Sequence, residues 1–310
     1  MYFFIVNRRS GNGKGMKVWK HVHPVLHGRR ISYRVEFTLN PVHAAKIVRQ
    51  VVNERKARVL VVVGGDGTVH SVIHELIETG IPIGLIPAGS GNDFARGMGI
   101  PMNPRKALEY LLNGTAKKID IARTGEKCCI TAVGIGIDGK VAQTVNRSPY
   151  KKWFNFLRLG HLSYIISSLQ VLPHYRTARA TVKIDEKEHQ FADTWLIAAA
   201  NFPTYGGGMK ICPRASCTDG LFHICIVHGI SRLGLLRLFP DVMRGKHIDH
   251  PAVTVLEGRN VKVTADVPML VHGDGEIIGV TPIEVTLQAE AIHVIYNEMN
   301  NADTERGRYQ

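Results

Sequence analysis

The stretch Val59–Thr68, VLVVVGGDGT, decides the fold of this chain. It opens with a continuous aliphatic and β-branched run, which is typical of a strand buried on both faces of a parallel sheet. Glycines follow at once, and a helix is predicted over about residues 68–79. Backbone N–H groups at a glycine turn and a helix N-terminus both attract anions, so the stretch predicts a phosphate-binding loop.

Predicted strands and helices alternate around this stretch, over residues 2–6, 16–27, 32–38, 42–55, 83–86 and 103–113. This order is typical of a doubly wound α/β domain. After about residue 122, short strand candidates separated by turn residues dominate, as in an antiparallel sandwich. The predicted fold class is α/β with two domains. An N-terminal doubly wound α/β nucleotide-binding domain covers residues 1–122, and a C-terminal antiparallel β-sandwich domain covers residues 123–289.

Asp66 is the unexpected residue of the glycine turn, because a carboxylate next to phosphate is repulsive unless a cation or a proton donor intervenes. Magnesium, or a metal-ordered water network joining Asp66 to a triphosphate, is the simplest resolution. The alternative is a tight turn in which Asp66 caps the helix. The strand–turn–helix context favours the phosphate interpretation, with Gly64, Gly65, Gly67 and Thr68 as contacts.

A second glycine loop, Pro87–Phe94 (PAGSGNDF), follows the next predicted strand. The carboxyl ends of adjacent parallel strands meet at one edge of a sheet, where ligands bind in doubly wound folds. We therefore expect both glycine loops to face the same nucleotide. Ser90 and Asn92 are the candidate hydrogen-bonding residues, whereas Asp93 is a candidate helix cap.

The first loop, Asn7–Gly15, resembles a Walker A loop but lacks its pattern, because Lys14 is followed by glycine rather than by Ser or Thr. Two interpretations stay open for it. One is a third phosphate-facing loop, with Asn7, Ser10 and Lys14 as contacts, and the other is a flexible turn.

Two carboxylates near the C-terminus, Asp274 and Glu276, lie two residues apart in the string HGDGE. Such a pair in a tight turn suits proton abstraction from a hydroxyl, with one residue as the base and the other orienting it. Taken alone, the same pattern describes a β-turn with solvated acids. Asp219, in CTDGL, is likewise either a turn residue or a metal-binding or structural acid.

Together these motifs resemble the bacterial diacylglycerol kinase-like lipid kinase family of the YegS and BmrU type, which is related to sphingosine kinases. The resemblance rests on GGDGT, PAGSGNDFAR, YGGGM (Tyr205–Met209) and DGE in this order, and it covers nearly the whole chain. Two positions depart from the family pattern. Arg8 follows Asn7 where proline is common, and His70-Ser71 stand where Asn-Glu is common.

The resemblance implies an ATP-binding α/β domain and a lipid-binding β-sandwich domain, with the last strand and residues 290–310 returning to the first domain. It implies that Thr38, Gly64–Thr68 and Ser90 contact ATP. Asp66 would join a Mg²⁺-linked water network with Asp120 as a possible second acid, and either Glu276 or Asp274 would be the base. It also implies a structural Mg²⁺ in the turn of Ser216, Asp219 and Leu221.

The charge of the chain indicates acidic partners, since 39 Lys+Arg against 26 Asp+Glu give a net charge of +13. No nucleic-acid-binding module accompanies this excess, so ATP and an anionic membrane surface are the expected partners. Two amphipathic stretches, 150–172 and 231–244, either lie at a membrane interface or pack on the sandwich. The five cysteines form no C-x-x-C pair, which favours a cytoplasmic protein. The amphipathic stretches and the positive charge predict that it binds the membrane peripherally. A homodimer stays open.

Three functions fit these observations. The first is an ATP-dependent lipid kinase that phosphorylates the hydroxyl of diacylglycerol or a related lipid alcohol. The second is a kinase for a soluble substrate, similar to NAD kinases, with which GGDGT is shared. The third is a non-catalytic nucleotide-binding regulator.

Overall fold

The computed structural model describes residues 1–147 and 160–298. The chain forms two compact units, one of Met1–Ile119 with the chain from Glu290 onward, the other of Asp120–Ala289. We call them the first unit and the second unit. The aromatic and basic residues at 150–159 of the predicted amphipathic stretch lie outside the described residues, as do residues 299–310.

The first unit alternates strands and helices: β1 Tyr2–Asn7, α1 Ser10–Gly28, β2 Tyr33–Thr38, α2 Pro41–Glu54, β3 Val59–Gly64, α3 Asp66–Ile73, β4 Ile83–Pro87, α4 Asp93–Gly97 and α5 Pro104–Asn113. The strands are parallel in the order β2-β1-β3-β4, with Val6 opposite Val63 and Leu60 opposite Ile83. All of β3 is buried, which explains why its sequence is apolar without alternation. The α/β fold class predicted from the sequence is confirmed.

Helix α2 shows how local sequence sets an element. The Asn40 side chain accepts a hydrogen bond from the His43 N–H at 2.8 Å, and Pro41 fits the first helical position, where its missing N–H costs nothing. The residues at helical spacing, Ala44, Val48 and Val51, are buried. The sequence thus determines both where this helix begins and which face it buries.

Helix α3 is shorter than the sequence predicts, because it ends at Ile73 rather than near residue 79. Beyond it, the Glu75 N–H bonds to the Val72 carbonyl and the Leu76 N–H to the Ile73 carbonyl. These bonds span three residues rather than four, so the chain tightens into turns. Leu76 is 1% exposed, and its burial accounts for the apolar periodicity that extends past the helix.

The second unit consists of short strands and three described helices: β5 Thr115–Thr124, which begins in the first unit, β6 Lys127–Cys129, β7 Ala132–Gly136, α6 Ile137–Arg147, α7 Gly160–Val171, β8 Ala178–Ile184, β9 Lys187–Thr194, β10 Leu196–Ala200, β11 Phe222–Val227, α8 Arg232–Arg244, β12 Val253–Gly258, β13 Asn260–Ala265, β14 Leu270–Gly273, β15 Glu276–Val280 and β16 Ile283–Tyr296. Strand β16 starts in this unit and ends in the first, where Val294 pairs with Ile83 of β4.

Two layers of strands enclose the core of the second unit. One is a six-stranded antiparallel sheet in the order β12-β11-β10-β7-β14-β15, and the other contains β9, β8, β13 and the start of β16. Val133, Ile197 and Ile224 of the first layer pack in one buried cluster with Val182 and Val261 of the second. This is the predicted antiparallel sandwich, and the prediction is confirmed.

Helices cover the outer face of the six-stranded sheet. Ala198 and Cys225 of the sheet share a second buried cluster with Val141 of α6, Val171 of α7 and Leu238 of α8. The stretch 231–244 therefore packs on the sandwich by one face. No helix in the described part of the chain is both long and apolar enough to cross a membrane.

Candidate functional site

Three loops meet at the carboxyl edge of the parallel sheet in the first unit. The Asn7 side-chain amide donates to the Thr68 hydroxyl at 2.9 Å, which ties the loop after β1 to the loop after β3. A Cβ on Gly11 would overlap the Ala88 carbonyl oxygen, so the first loop also lies against the loop after β4. The sequence left the Asn7–Gly15 loop open between two interpretations, and the structure brings it to the other two loops.

The glycines of these loops are required by close backbone approach. A Cβ on Gly65 would lie 2.6 Å from the Gly89 Cα, and one on Gly64 would lie 2.8 Å from the Thr68 hydroxyl oxygen. Real Cβ atoms do not approach backbone this closely, so only glycine allows the two loops to touch. Glycine backbone without side chains is what a phosphate-binding loop requires, because a phosphate chain can approach it closely.

Asp66 caps the helix of the neighbouring loop. Its Oδ1 accepts a hydrogen bond from the Phe94 N–H at 3.0 Å, near the start of α4. The carboxylate is half-buried and lies beside Gly91, where a Cβ would be 3.0 Å from Oδ2. The sequence offered a metal-linked or a capping carboxylate, and the geometry shows a cap across two loops that still leaves Asp66 partly accessible.

The other candidate residues of the first unit differ in what their side chains contact. Ser90 is exposed, whereas Asn92 is buried and bonds Gly89 twice, from the Gly89 N–H at 2.8 Å and to its carbonyl at 3.0 Å. Asn92 therefore shapes its own loop. Thr38 is also buried, and its hydroxyl donates to the Asn40 carbonyl at 2.8 Å. Ser10 begins α1 and is half-buried.

The two carboxylates of the HGDGE string have different environments. Asp274 accepts hydrogen bonds from the Ile130 N–H at 2.8 Å, the Thr131 N–H at 2.8 Å and the Thr131 hydroxyl at 2.5 Å. Glu276 is exposed at the start of β15. Asp274 thus anchors the turn, and Glu276 is the solvent-exposed carboxylate of the pair.

A buried network that the sequence did not reveal lies next to this turn. Asp138 Oδ2 accepts from the Tyr205 hydroxyl at 2.6 Å and lies 2.8 Å from His272 Nε2. Burial raises the pKa of Tyr205, and the Asp138 carboxylate raises it further. Burial lowers the pKa of His272, but Asp138 and Asp274 outweigh it and the net pKa is raised. The partners are 67 and 134 residues apart in sequence, so no local pattern signals them.

An apolar cavity of about 290 Å³ lies between the helices and the six-stranded sheet of the second unit. Its walls come from α6, α7, α8 and neighbouring segments, and include Val141, Leu172, Leu235 and Phe239. Asp138 is the one charged residue in its described lining. The cavity suits the hydrocarbon part of a ligand, with a single carboxylate in its wall.

The buried carboxylate of Asp120 holds the turn that contains Asp219. Asp120, 1% exposed, accepts a hydrogen bond from the Gly220 N–H at 2.9 Å, and its own N–H bonds to the Cys217 carbonyl. Asp120 therefore holds the Asp219 turn, and its role as a second acid with Asp66 stays a prediction. Asp219 Oδ1 accepts from the Leu221 N–H at 3.0 Å, and Oδ2 lies 3.3 Å from His223 Nε2.

This turn offers oxygen ligands of the kind that Mg²⁺ prefers, with Asp219 as its carboxylate and Ser216 as a hydroxyl. Ser216 Oγ lies 3.3 Å from the Thr218 hydroxyl. Within residues 1–147 and 160–298, no cluster of three or more His, Cys, Asp or Glu side chains could hold a metal ion. A cation in this turn would therefore depend on backbone carbonyls as well.

Two family models together match nearly the whole chain, one over its N-terminal part and one over its C-terminal part. Residues 1–124 match the diacylglycerol kinase catalytic domain, and residues 131–296 match the YegS C-terminal NAD kinase beta sandwich-like domain. The chain is 32% identical to a diacylglycerol kinase of Mycobacterium tuberculosis over 297 residues, which cover 94% of this chain and 93% of that protein.

Two further relatives come from bacilli. A diacylglycerol kinase of Bacillus subtilis is 29% identical over 244 residues, 78% of each chain. The crystal structure of a diacylglycerol kinase from Bacillus anthracis superposes with a TM-score of 0.72 at 19% identity, over 96% of this chain and 97% of that one. This last similarity concerns the fold.

Proposed function

Because the chain belongs to the diacylglycerol kinase family and is a kinase, we propose that it transfers the γ-phosphate of ATP to the hydroxyl of diacylglycerol or a related lipid alcohol. The apolar cavity of the second unit carries this proposal. A soluble, charged acceptor would not bind favourably in an apolar cavity walled by three helices. Burying an acyl chain there is favourable by about 0.8 kcal/mol of transfer free energy for each CH₂.

On the nucleotide side, the converging loops of the first unit supply the phosphate site. The backbone of Gly64–Thr68 faces the phosphates, and the hydroxyls of Ser10 and Ser90 are candidate contacts. Asn7 and Thr38 hold the loops in place through the bonds described above, and Asn92 does the same within its loop. Phosphoryl transfer needs little covalent chemistry from the protein, so positioning and charge compensation supply the catalysis.

Asp66 is the residue we assign to magnesium. Its half-buried carboxylate is fixed by the Phe94 N–H and stays accessible at the edge where the three loops meet. Bound with ATP, magnesium would compensate the charge of the β- and γ-phosphates. We place a second, structural magnesium in the turn of Ser216, Asp219 and Leu221, where the oxygen donors fit.

Glu276 is the proposed general base for the lipid hydroxyl. It is exposed, while both carboxylate oxygens of Asp274 are engaged by three hydrogen bonds from Ile130 and Thr131. General bases contribute roughly 10²–10⁴-fold to rate. Glu276→Gln keeps the size of the side chain and removes its basicity, so it is the sharp test of this role.

A membrane substrate requires a membrane-facing surface, and we propose the outer face of α8. Leu233, Leu236 and Met243 are exposed along it, with Arg237 and Arg244 beside them. Arg232 lies at the start of the same helix, and its guanidinium donates to the carbonyls of Leu172 and Tyr175. An apolar stripe with flanking arginines suits an anionic bilayer.

The decisive experiment incubates the protein with γ-labelled ATP, magnesium and a total membrane lipid extract. We expect label in a product that partitions into organic solvent, and none from Glu276→Gln or Asp66→Ala. Label in a water-soluble product instead would support the soluble-substrate alternative. Label in neither phase, or full activity in both variants, would overturn the proposal.

A further inference from the structure

A continuous chain of hydrogen bonds joins the wall of the apolar cavity to the turn that carries Glu276. Tyr205 and His272 both contact Oδ2 of Asp138, at 2.6 and 2.8 Å. On its other side, His272 Nδ1 accepts a hydrogen bond from the Gly275 N–H at 3.3 Å. Gly275 directly precedes Glu276, so the chain ends at the backbone of the proposed base.

These contacts determine which imidazole nitrogen carries the proton. Since Nδ1 accepts from an N–H group, the proton of the neutral ring is on Nε2, where it is donated to Asp138. The exposed fractions of Asp138, Tyr205 and His272 are 5%, 4% and 2%. A carboxylate buried this deeply needs donors, and the phenol and the imidazole supply them.

Gly134 of β7 lies directly against the contact between Asp138 and His272. A Cβ on Gly134 would overlap both Asp138 Oδ2 and His272 Nε2. Substituting this glycine therefore disturbs the contact between the two side chains without changing either of them.

The turn that leads to Glu276 contains two residues with positive φ and is held by side chains from other segments. Asp274 has φ 52° and Gly275 has φ 86°, and a Cβ at Gly275 would meet no atom within 4 Å. Asp274 anchors one side of the turn to Ile130 and Thr131, the imidazole of His272 accepts from the Gly275 N–H, and the Asn146 side-chain amide donates to the Gly275 carbonyl at 2.9 Å. Without the imidazole acceptor, the Gly275 N–H loses this contact, and the backbone before Glu276 is held at the Gly275 carbonyl by Asn146.

We propose that His272, oriented by Asp138, is a positioning residue for phosphoryl transfer: it holds the Gly275 N–H and so sets the place of Glu276. This inference rests on the proposed function, in which Glu276 is the base. A displacement of about 1 Å of a catalytic group can cost on the order of 10²-fold in rate.

Two substitutions separate the two contacts of the imidazole. In His272→Asn, the side-chain oxygen takes the place of Nδ1 and still accepts from Gly275. In His272→Gln, the amide reaches the place of Nε2 and donates to Asp138, but the Gly275 N–H loses its acceptor. We expect kcat to fall roughly 10–100-fold in His272→Gln and within about threefold in His272→Asn, with the KM for ATP unchanged in both.

Gly134→Ala displaces the imidazole of His272 from the side of β7. Because the displaced Nδ1 no longer meets the Gly275 N–H, we expect kcat to fall as it does in His272→Gln. The matched control is His247→Gln, which removes another imidazole of the second unit that is 1% exposed and bonds to the Ile211 carbonyl. We expect it to leave kcat unchanged. Thermal unfolding and ATP binding of every variant report whether it is folded.

The pH profile gives a readout that a purely structural role would not change. The titratable groups that face His272 are Asp138 from α6, Tyr205, and Asp274 from the turn. Their net effect raises its pKa above 6.5, although burial opposes it. Protonation puts a hydrogen on Nδ1 and abolishes the acceptor for Gly275. In the wild type, kcat therefore rises with pH through this pKa, and in His272→Asn that step is absent.

The outcomes distinguish this inference from the function on which it rests. Full activity of Glu276→Gln would overturn the base, and with it the positioning role. If Glu276→Gln is inactive while His272→Gln and Gly134→Ala keep wild-type kcat, the base stands and the positioning role is wrong. Equal losses in His272→Asn and His272→Gln, with the acid limb of the pH profile retained, would also overturn it.

Discussion

At the scale of single residues, the two acids of the HGDGE string show how backbone donors divide two similar side chains into different roles. Asp274 takes three donors from Ile130 and Thr131, while Glu276 extends into solvent. A carboxylate that accepts hydrogen bonds from two N–H groups stabilises the folded turn, whereas a solvent-exposed carboxylate is accessible to a substrate. The difference is one of environment, since the two residues are two positions apart.

This division predicts opposite effects of two substitutions. Asp274→Ala leaves the N–H groups of Ile130 and Thr131 without their acceptor, so we expect the free energy of unfolding to fall by about 2 kcal/mol. Glu276→Ala should change it by less than about 0.5 kcal/mol and abolish lipid phosphorylation. Urea denaturation measures the first quantity, and the reverse ranking of the two variants would contradict the assignment.

At the scale of elements, the proposed site depends on glycine loops that contact each other through their backbones. It also depends on helix α8, which is apolar on its buried face and on part of its exposed face. Leu238 of α8 is buried against the sandwich, while Leu233 on the same helix is 67% exposed. One helix thus packs and also presents an apolar surface. The amphipathic pattern of residues 231–244 does not distinguish packing from membrane contact, because both need an apolar face.

The loop contact predicts a loss of ATP binding in Gly65→Ala. The new Cβ would lie 2.6 Å from the Gly89 Cα, and because both partners are backbone the loops must separate. We expect the increase in melting temperature that ATP causes in the wild type to disappear. Gly28→Ala is the control, because a Cβ there meets no atom within 4 Å. An unchanged ATP response in Gly65→Ala would contradict the predicted phosphate site.

The exposed face of α8 predicts a loss of membrane binding in Leu233→Glu. Removing a leucine from the bilayer interface costs about 1.5–3 kcal/mol, so we expect co-sedimentation with anionic vesicles to weaken roughly tenfold or more. Val42→Glu, at a position of the first unit that is 81% exposed, is the control. Equal weakening in both variants would indicate a nonspecific charge effect instead.

At the scale of the whole molecule, the two units have different chemistry. The first unit contains glycine loops and the second an apolar cavity, so each is suited to one of the two proposed substrates. The division of the chain at residues 122 and 289 into an ATP-binding and a lipid-binding domain stays a prediction, as does a homodimer.

This separation predicts that lipid and ATP can be disturbed independently. Leu235→Trp fills part of the apolar cavity, and we expect the KM for a diacylglycerol substrate to rise at least about tenfold. ATP should still raise the melting temperature of this variant as in the wild type. An unchanged KM for the lipid would indicate that the acyl chains bind elsewhere.

The sequence by itself determined the fold class and the position of the glycine loops. The buried run before GGDGT, the alternation of elements and the glycine turns are local patterns, and each depends on neighbours along the chain. The same local character explains why the helix predicted over residues 42–55 is observed at Pro41–Glu54. Burial of Leu76 outside a helix explains the incorrect end of α3.

Only the tertiary structure decided which carboxylate is braced, which turn Asp120 holds and which residues surround the turn of Glu276. Asp138, Tyr205 and His272 lie on separate elements, and their contacts arise because β7 and β14 pair and α6 packs beside them. The cavity likewise exists only where three helices meet the sheet. Hydrogen bonds and packing between distant segments depend on the folded backbone, which no pattern of neighbouring residues records.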